Sequence, residues 1–333
     1  MNVLVIGNGG REHAIVQALA KSPKVDKIYA MKGNAGIGEL AELVDVDYCD
    51  LKAVGDWVDS HKDVEYTVIA PDDPLALGLA DELESRGHRV FGPRKNAAII
   101  EASKAFSKAL MKKYNIPTAK YETFSDFESA KAYLETCDIP VVLKADGLAL
   151  GKGVLICKTR EEALDGIKEM MLDKKFGNAG NTVVVEEFLE GPEVSALAFT
   201  DGKTLKPMIT SCDHKRVFDH DEGLNTGGMG TFAPAPFYGE KTEKEVLEKI
   251  MLPTVNASVM KKPSNQRLIP RKEGEVFWER DTDMKEYRRL MVIWEMSISI
   301  YCPGCTITPI PASCPADVRV IMEITTACHQ AKP

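Results

Sequence analysis

Through residues 3–91, short β-branched runs alternate with helix-forming stretches, and that alternation leaves few folds open. Val3-Leu4-Val5-Ile6 reads as a buried strand. Gly7-Asn8-Gly9-Gly10-Arg11-Glu12-His13 follows and opens a helix through Ala14 to Lys21. Lys27-Ile28-Tyr29-Ala30-Met31 is a second strand, and Tyr66-Thr67-Val68-Ile69-Ala70 is another, closed by Pro71-Asp72-Asp73-Pro74. A helix then runs to about Arg86, and Arg89-Val90-Phe91 is a further short strand. Parallel neighbours need crossover connections, usually helices, so this order predicts an α/β domain with a mostly parallel sheet over 1–100.

The glycine turn after the first strand invites a dinucleotide reading, but two positions argue against it. Glu12 stands where G-x-G-x-x-G needs its last glycine, and Met31 and Lys32 stand where an acid should close the second strand. The turn can still hold an anion at the helix N-terminus, with Arg11 strengthening it. A phosphate-bearing ligand is therefore expected ahead of a dinucleotide. The alternative is a tight strand-to-helix turn with no ligand.

Residues 141–153 read Val-Val-Leu-Lys-Ala-Asp-Gly-Leu-Ala-Leu-Gly-Lys-Gly, and Val154-Leu155-Ile156-Cys157 looks like a returning strand. A loop holding Gly147, Gly151 and Gly153 can bring bare backbone N–H groups close to phosphate oxygens. Lys144 and Lys152 can neutralise the charge. No helix opens after these glycines, so the segment is not a Walker A loop but a flap in a β-hairpin. A surface hairpin with solubilising lysines is the competing reading.

Residues 101–113 carry apolar side chains at helical spacing, and Asn115-Ile116-Pro117 stops that helix. Lys104 lies on it and can point towards a ligand, although spacing alone favours a solvated lysine. Phe124 to Glu135 and 160–172 read as further helices, and Thr182 to Phe188 and Val194 to Thr200 as strands. Glu186-Glu187-Phe188-Leu189 leaves a strand towards Glu193; such an exit can read a base edge and ribose hydroxyls, or be a charged turn. Asp213-His214-Lys215-Arg216 and Asn225-Thr226-Gly227-Gly228-Met229-Gly230 offer cations and N–H donors for carboxylate, phosphate or oxyanion. Loops this long are usually functional or disordered. No Ser/His/Asp or G-x-S-x-G pattern is visible, so the expected chemistry is positioning and charge neutralisation around a transferred phosphate.

Charge narrows the partners. The formal net charge is -8, with no long basic stripe in residues 1–250, which disfavours nucleic acid. The 333 residues suggest two or three domains, and 44% hydrophobic with 28% charged residues supplies an ordinary core. No apolar run reaches about 18 residues, and the chain enters a strand without a charged leader. No membrane association and a cytoplasmic setting are expected. Cys49, Cys137, Cys157 and Cys212 are isolated and read as reduced thiols.

Taken together, these segments resemble the phosphoribosylamine–glycine ligase (glycinamide ribonucleotide synthetase) family of ATP-grasp enzymes. The resemblance rests on Gly7 to Ala14, Pro71-Asp72-Asp73-Pro74-Leu75, Ser103-Lys104-Ala105-Phe106-Ser107-Lys108, Ile116-Pro117-Thr118, Lys144 to Val154, Glu186 to Leu189, Asp213 to Arg216 and Asn225 to Gly230, over about residues 1–257. It implies a Rossmann-like substrate domain at 1–100, then an ATP-grasp region of two α+β subdomains at 101–257, with an ATP lid at 120–190. It also implies that ATP phosphorylates glycine to glycyl phosphate, which the amine of 5-phosphoribosylamine attacks to give glycinamide ribonucleotide, ADP and phosphate. Lys104 and Lys144 would contact ATP phosphates under the loop of Gly147, Gly151, Lys152 and Gly153. Backbone groups around Glu186, Glu187, Phe188 and Leu189 would take adenine, and Glu193 ribose. Gly9, Gly10, Arg11 and Glu12 would hold the substrate phosphate. Asp213, Lys215 and Arg216, with Asn225, Thr226, Gly227 and Gly228, would line the acyl-transfer site. Mg2+ or Mn2+ would bridge the phosphates, and a monomer acting on small molecules is expected.

After residue 257 the resemblance stops. The family's metal-binding glutamate and asparagine and its R-F-G-D-P-E segment are not found, so no metal ligands are carried over. Residues 258–289 are mixed-charge and locally basic, and the end of the chain is rich in Cys and Pro. The expectation for 258–333 is a foreign or out-of-frame tail, disordered in part. An impaired nucleotide-binding relic is the alternative function. Glu323 closes Arg319-Val320-Ile321-Met322, but Thr325 stands where asparagine belongs. Cys302-Pro303-Gly304-Cys305 with Cys314, Cys328 and His329 gives only weak grounds for zinc.

Overall fold

A computed structural model describes residues 1–148, 153–200, 204–214, 216–219, 222–226, 229–259, 292–301 and 319–323. These fall into two compact units that divide between Ile99 and Ile100.

In the first unit, β1 (Asn2–Gly7) leads through α1 (Gly10–Ala20) to β2 (Lys27–Lys32), α2 (Ala35–Gly38) and β3 (Glu42–Val44). Then come α3 (Leu51–Ser60), β4 (Val64–Ile69), α4 (Asp72–Leu77), α5 (Leu79–Ser85) and β5 (Val90–Phe91). The strand order is β3-β2-β1-β4-β5, all parallel. The expected parallel α/β sheet is therefore present. β1 is central and nearly continuous in apolar residues because both its faces are covered. Leu4 and Ile6 enter one core with Met31, Val54, Leu79 and Leu83, and Val3 and Val5 enter the other with Val16, Ile28 and Ile37. The single helix expected up to Arg86 is two helices. Gly78 breaks it with φ +107, a conformation that L side chains rarely adopt.

The second unit opens with α6 (Lys95–Ala102), which begins just before the division, and α7 (Lys104–Lys113). The one helix expected over 101–113 is thus interrupted at Ser103, whose hydroxyl accepts from the Phe106 N–H at 3.1 Å as an N-cap. Next are β6 (Tyr121–Phe124), α8 (Phe127–Leu134), β7 (Val141–Ala145), β8 (Val154–Cys157), α9 (Arg160–Met171) and β9 (Val183–Glu187). Phe124 ends a strand instead of starting the helix, because Asp126 caps α8 through the Ser129 N–H. These strands form an antiparallel sheet of order β6-β9-β7-β8.

β10 (Glu193–Thr200) alternates half-buried and buried residues along its length, the pattern of a strand with one face on a core. It pairs with β11 (Leu205–Pro207). The expected long loop that follows is two short ribbons, one inside the other. β12 (Cys212–Asp213) pairs with β15 (Thr231–Phe232), and β13 (Arg216–Phe218) with β14 (Glu222–Asn225). α10 (Glu240–Val246) passes through a π-helical turn into α11 (Leu252–Val259). Within the divergent tail, β16 (Val292–Tyr301) pairs antiparallel with β10, and β17 (Arg319–Glu323) pairs with β16. Cys302, Cys305, Cys314, Thr325, Cys328 and His329 lie outside the described residues, as do residues 260–291. Among the described residues no helix is long and apolar enough to cross a membrane. The four described cysteines are unpaired thiols. Burial pushes Cys157 and Cys212 up to about 11, so neither is poised as a nucleophile.

Candidate functional site

The β6-β9-β7-β8 sheet separates apolar from charged residues by register. Cross-strand partners share a face and successive residues alternate. Val141, Leu143, Ala145, Val183 and Val185 therefore face one way, into a core with Ala130 and Leu134 of α8 and Ala163, Ile167 and Met170 of α9. The opposite face carries Lys144 opposite Val184, and Glu186 between Val142 and Tyr121.

Helix α7 supplies the cations that meet this face. Lys104 and Lys108 are four residues apart and so lie on one side of the helix. Lys108 Nζ is 3.1 Å from Glu186 Oε2 and donates to Thr118 Oγ1 at 2.7 Å. Lys144 Nζ is 3.0 Å from the same Oε2. Lys104 Nζ donates to the Gly147 carbonyl at 2.9 Å. All three lysines are buried, Lys104 at 4% exposure, which corrects the sequence expectation of a solvated lysine. The other carboxylate oxygen, Glu186 Oε1, is buried with no hydrogen-bond partner among the described residues.

Burial alone would neutralise these groups, yet the carboxylate stays charged. Desolvation pushes Glu186 up, but the ammonium groups of Lys144 and Lys108 outweigh it and hold the carboxyl below its ordinary range. Lys104 goes the other way. Burial, with the nearby Lys144 charge, lowers it despite Glu101, Asp146 and Glu186. A polyanion placed here would raise it again.

Asp146 fixes the start of the hairpin loop against α7. Its carboxylate accepts from Ser103 Oγ at 3.0 and 3.2 Å and from the Ala105 N–H at 3.1 Å. Gly147 follows with φ +121, and a Cβ there would sit 3.3 Å from Ala179 Cβ. The Gly153 carbonyl accepts from the Ala145 N–H at 2.8 Å and closes the hairpin. Gly151 and Lys152 lie outside the described residues.

Glu187 is tied to the neighbouring strand, its Oε1 accepting from the Lys120 N–H at 2.8 Å. Phe188 and Leu189 leave the strand half-buried, and the Glu193 carbonyl accepts from Cys212 Sγ at 3.1 Å. Asp213 pairs with Thr231, and the backbone of Arg216 with that of Asn225. The ribbons therefore bring three of the expected acyl-site positions onto paired strands. Thr226 is half-buried just beyond, and Lys215, Gly227 and Gly228 lie outside the described residues.

In the first unit the turn of Gly9, Gly10, Arg11 and Glu12 is filled by its own glutamate. Glu12 is buried; its Oε2 accepts from the Gly9 N–H at 2.6 Å and its Oε1 from Arg11 Nε at 2.9 Å. A Cβ on Gly7 would lie 2.6 Å from Glu12 Cγ, and Gly7 has φ +123. Glu12 thus takes the Gly9 N–H that a dinucleotide fingerprint would offer to pyrophosphate, and it acts as a brace. An incoming anion would meet Gly10, the Arg11 backbone and the rest of the guanidinium.

Sequence reasoning missed Ser103, Lys108, Thr118 and Asp146 as parts of the charged cluster. The four-residue spacing of Lys104 and Lys108 was the available signal. The other two links are long-range and leave no local trace.

Two family profiles match consecutive parts of the chain: "Phosphoribosylglycinamide synthetase, N domain" over residues 1–101 and "Phosphoribosylglycinamide synthetase, ATP-grasp (A) domain" over 102–266. The chain belongs to the phosphoribosylglycinamide synthetase family. Among curated relatives, a phosphoribosylamine–glycine ligase of Halalkalibacterium halodurans is 46% identical over 264 residues, covering 79% of this chain and 61% of that protein. One from Neisseria meningitidis serogroup B is 47% identical over 257 residues, covering 77% and 60%. The crystal structure of the Thermotoga maritima phosphoribosylamine–glycine ligase superposes with TM-score 0.69 at 29% identity, covering 90% of this chain and 66% of that one. The chain therefore spans about 61% of the length of the Halalkalibacterium relative. The matches give no support to an inactive relic. The family assignment and the ATP-grasp fold agree with the sequence expectation.

Proposed function

We propose that this chain carries the ATP site of a phosphoribosylamine–glycine ligase and takes part in joining glycine to 5-phosphoribosylamine, through glycyl phosphate, to give glycinamide ribonucleotide, ADP and phosphate. The observation that carries this reading is the buried cluster of Lys104, Lys108, Lys144 and Glu186, with one carboxylate oxygen left unpartnered. Three buried cations beside one fully buried carboxylate favour a bound polyanion, and an orphaned acceptor favours a ligand that brings an N–H donor. ATP has both, in its phosphates and its adenine amine. Lys104 and Lys144 hold the phosphates in this reading, and the loop of Gly147, Gly151, Lys152 and Gly153 covers them. The strand exit at Glu186, Glu187, Phe188 and Leu189 takes adenine, and Glu193 takes ribose.

Gly9, Gly10, Arg11 and Glu12 receive the phosphate of phosphoribosylamine, with Glu12 bracing the turn. Asp213, Lys215 and Arg216, with Asn225, Thr226, Gly227 and Gly228, serve acyl transfer by neutralising charge on the carboxylate and phosphate. Mg2+ or Mn2+ would neutralise the triphosphate. One or two carboxylates plus substrate phosphates suffice for such an ion, and no group of three or more His, Cys, Asp or Glu side chains among the described residues could hold one. The reading puts the chain in the cytoplasm, in keeping with the four unpaired thiols among the described residues, and takes it as a monomer.

The test is purified chain with ATP, magnesium, glycine and freshly made phosphoribosylamine. Glycine-dependent ADP release is the expected result. ATP binding without turnover would sink the ligase activity and leave the nucleotide site standing; no ATP binding would sink both.

A further inference from the structure

Lys108 is the one lysine of the buried cluster to which the ATP reading gives no phosphate. Its ammonium is spent inside the protein, on Thr118 Oγ1 at 2.7 Å and Glu186 Oε2 at 3.1 Å, and it lies 5.6 Å from the centroid of the Tyr121 ring. Tyr121 is itself the cross-strand partner of Glu186. Lys144 reaches the same Oε2 at 3.0 Å from β7. Both ammonium groups therefore converge on one oxygen, and Oε1 remains buried with no hydrogen-bond partner among the described residues. A buried carboxylate with one oxygen saturated and the other open is fixed in rotation and presents a single acceptor. Such a site favours a donor and repels another acceptor.

We propose that Lys108 is a positioning residue for nucleotide selection, pinning Glu186 through Oε2 so that Oε1 stays available as the acceptor for an amino-bearing base. The proposal rests on the ATP reading above and adds a selecting residue to it. A 6-amino purine supplies the N–H that Oε1 lacks. A 6-oxo purine sets a carbonyl oxygen against it and leaves the carboxylate unsatisfied. Lys108 acts only through Glu186, whereas Lys144, which shares that oxygen, and Lys104 also hold the phosphates common to every nucleoside triphosphate.

The experiment compares ATP and GTP binding to the full chain at equilibrium, for wild type, Lys108→Met, Lys108→Arg and Thr118→Val, each checked for folding by circular dichroism. Wild type is expected to prefer ATP by about ten- to hundredfold, the worth of one hydrogen bond to a charged group. Lys108→Met brings that ratio close to one, chiefly by losing ATP affinity, and Lys108→Arg keeps most of it. The ATP affinity of Lys108→Met also falls as pH drops, because Glu186 then keeps only Lys144 against burial, Lys104 being shared with Glu101 and Asp146. Wild-type affinity stays flat over the same range. An unchanged ratio in folded Lys108→Met overturns the proposal. If Lys108→Met does not fold, Thr118→Val decides: a reduced ratio supports the proposal and an unchanged one overturns it. Equal binding of ATP and GTP by wild type removes the selection and leaves the ATP site intact. Binding of neither removes the ATP reading and this proposal with it.

Discussion

The Arg86 cluster of the first unit and the Glu186 cluster of the second use the same chemistry in opposite settings. Arg86 reaches Asp56 at 3.0 Å, Asp59 at 2.8 Å and Glu82 at 2.6 Å, and so ties α3 to α5. Its acids are open to water, Asp56 with 52% of its side chain exposed, and each charge is answered. Around Glu186 the groups are buried, cations outnumber the contacting carboxylate, and one oxygen is unanswered. Solvated, balanced pairs add little to stability and are screened by salt. Buried, unbalanced ones are costly to keep and so point to a ligand. Net charge and residue type do not separate the two; burial and satisfaction do.

The sharpest break of this comparison is Glu186→Leu. It leaves the Lys108 and Lys144 ammonium groups buried without their shared carboxylate, and the expected loss is about 3–5 kcal/mol in urea unfolding. Wild-type stability in this variant would mean that the cluster does not hold α7 to the sheet.

Acid titration separates the clusters next. The folded-state carboxyl of Glu186 lies below the ordinary 4.5 of a glutamate. Its contribution is therefore full above that value and is lost as pH falls through the lower folded value. The stability gap between wild type and Glu186→Gln should be constant near neutrality and narrow on acidification below about pH 4.5. A gap that widens there contradicts the account. Asp56 and Asp59 are lowered in the same direction by hydrogen bonds to Lys52, Arg86 and His88. Their effect should fade with added salt, and that of Glu186 should persist.

Ser103→Ala tests the joint between the clustered helix and the loop. It removes an N-cap and one donor to Asp146, for an expected loss of about 1 kcal/mol. Hydrogen exchange should report the opening first at α7. The smallest effect is expected from Arg86→Ala, a modest drop in melting temperature that about 0.5 M salt largely erases. A large, salt-resistant loss would make the exposed cluster the equal of the buried one.

Much of this was legible in the sequence, unevenly. The parallel sheet was readable because β1 and β2 carry continuous apolar runs, and β4 a β-branched and aromatic one closed by Pro71. The 144–153 hairpin was readable because its glycines separate two β-branched runs. Helix breaks at Ser103 and Gly78 were not, since apolar spacing continues across both and only a cap or a positive φ marks the interruption. The burial of Lys104 was hidden for a related reason: a lysine on a helix looks solvated until the sheet face it meets is known. Lys108 and Thr118 were visible only as residues, because Glu186, the partner of Lys108, lies on a strand far along the chain. The ribbons at 212–232 were hidden by strands two to four residues long, too short to show a period.

The most direct test of the claim that the buried lysine–glutamate cluster is a nucleotide site is the ATP affinity of the full chain, measured by equilibrium titration for wild type and Lys144→Met at matched folding. The account predicts saturable binding by wild type and a loss of about ten- to hundredfold in the variant, as expected when one charged contact to phosphate is removed. Equal affinity in the two proteins, or no binding by wild type, would contradict it.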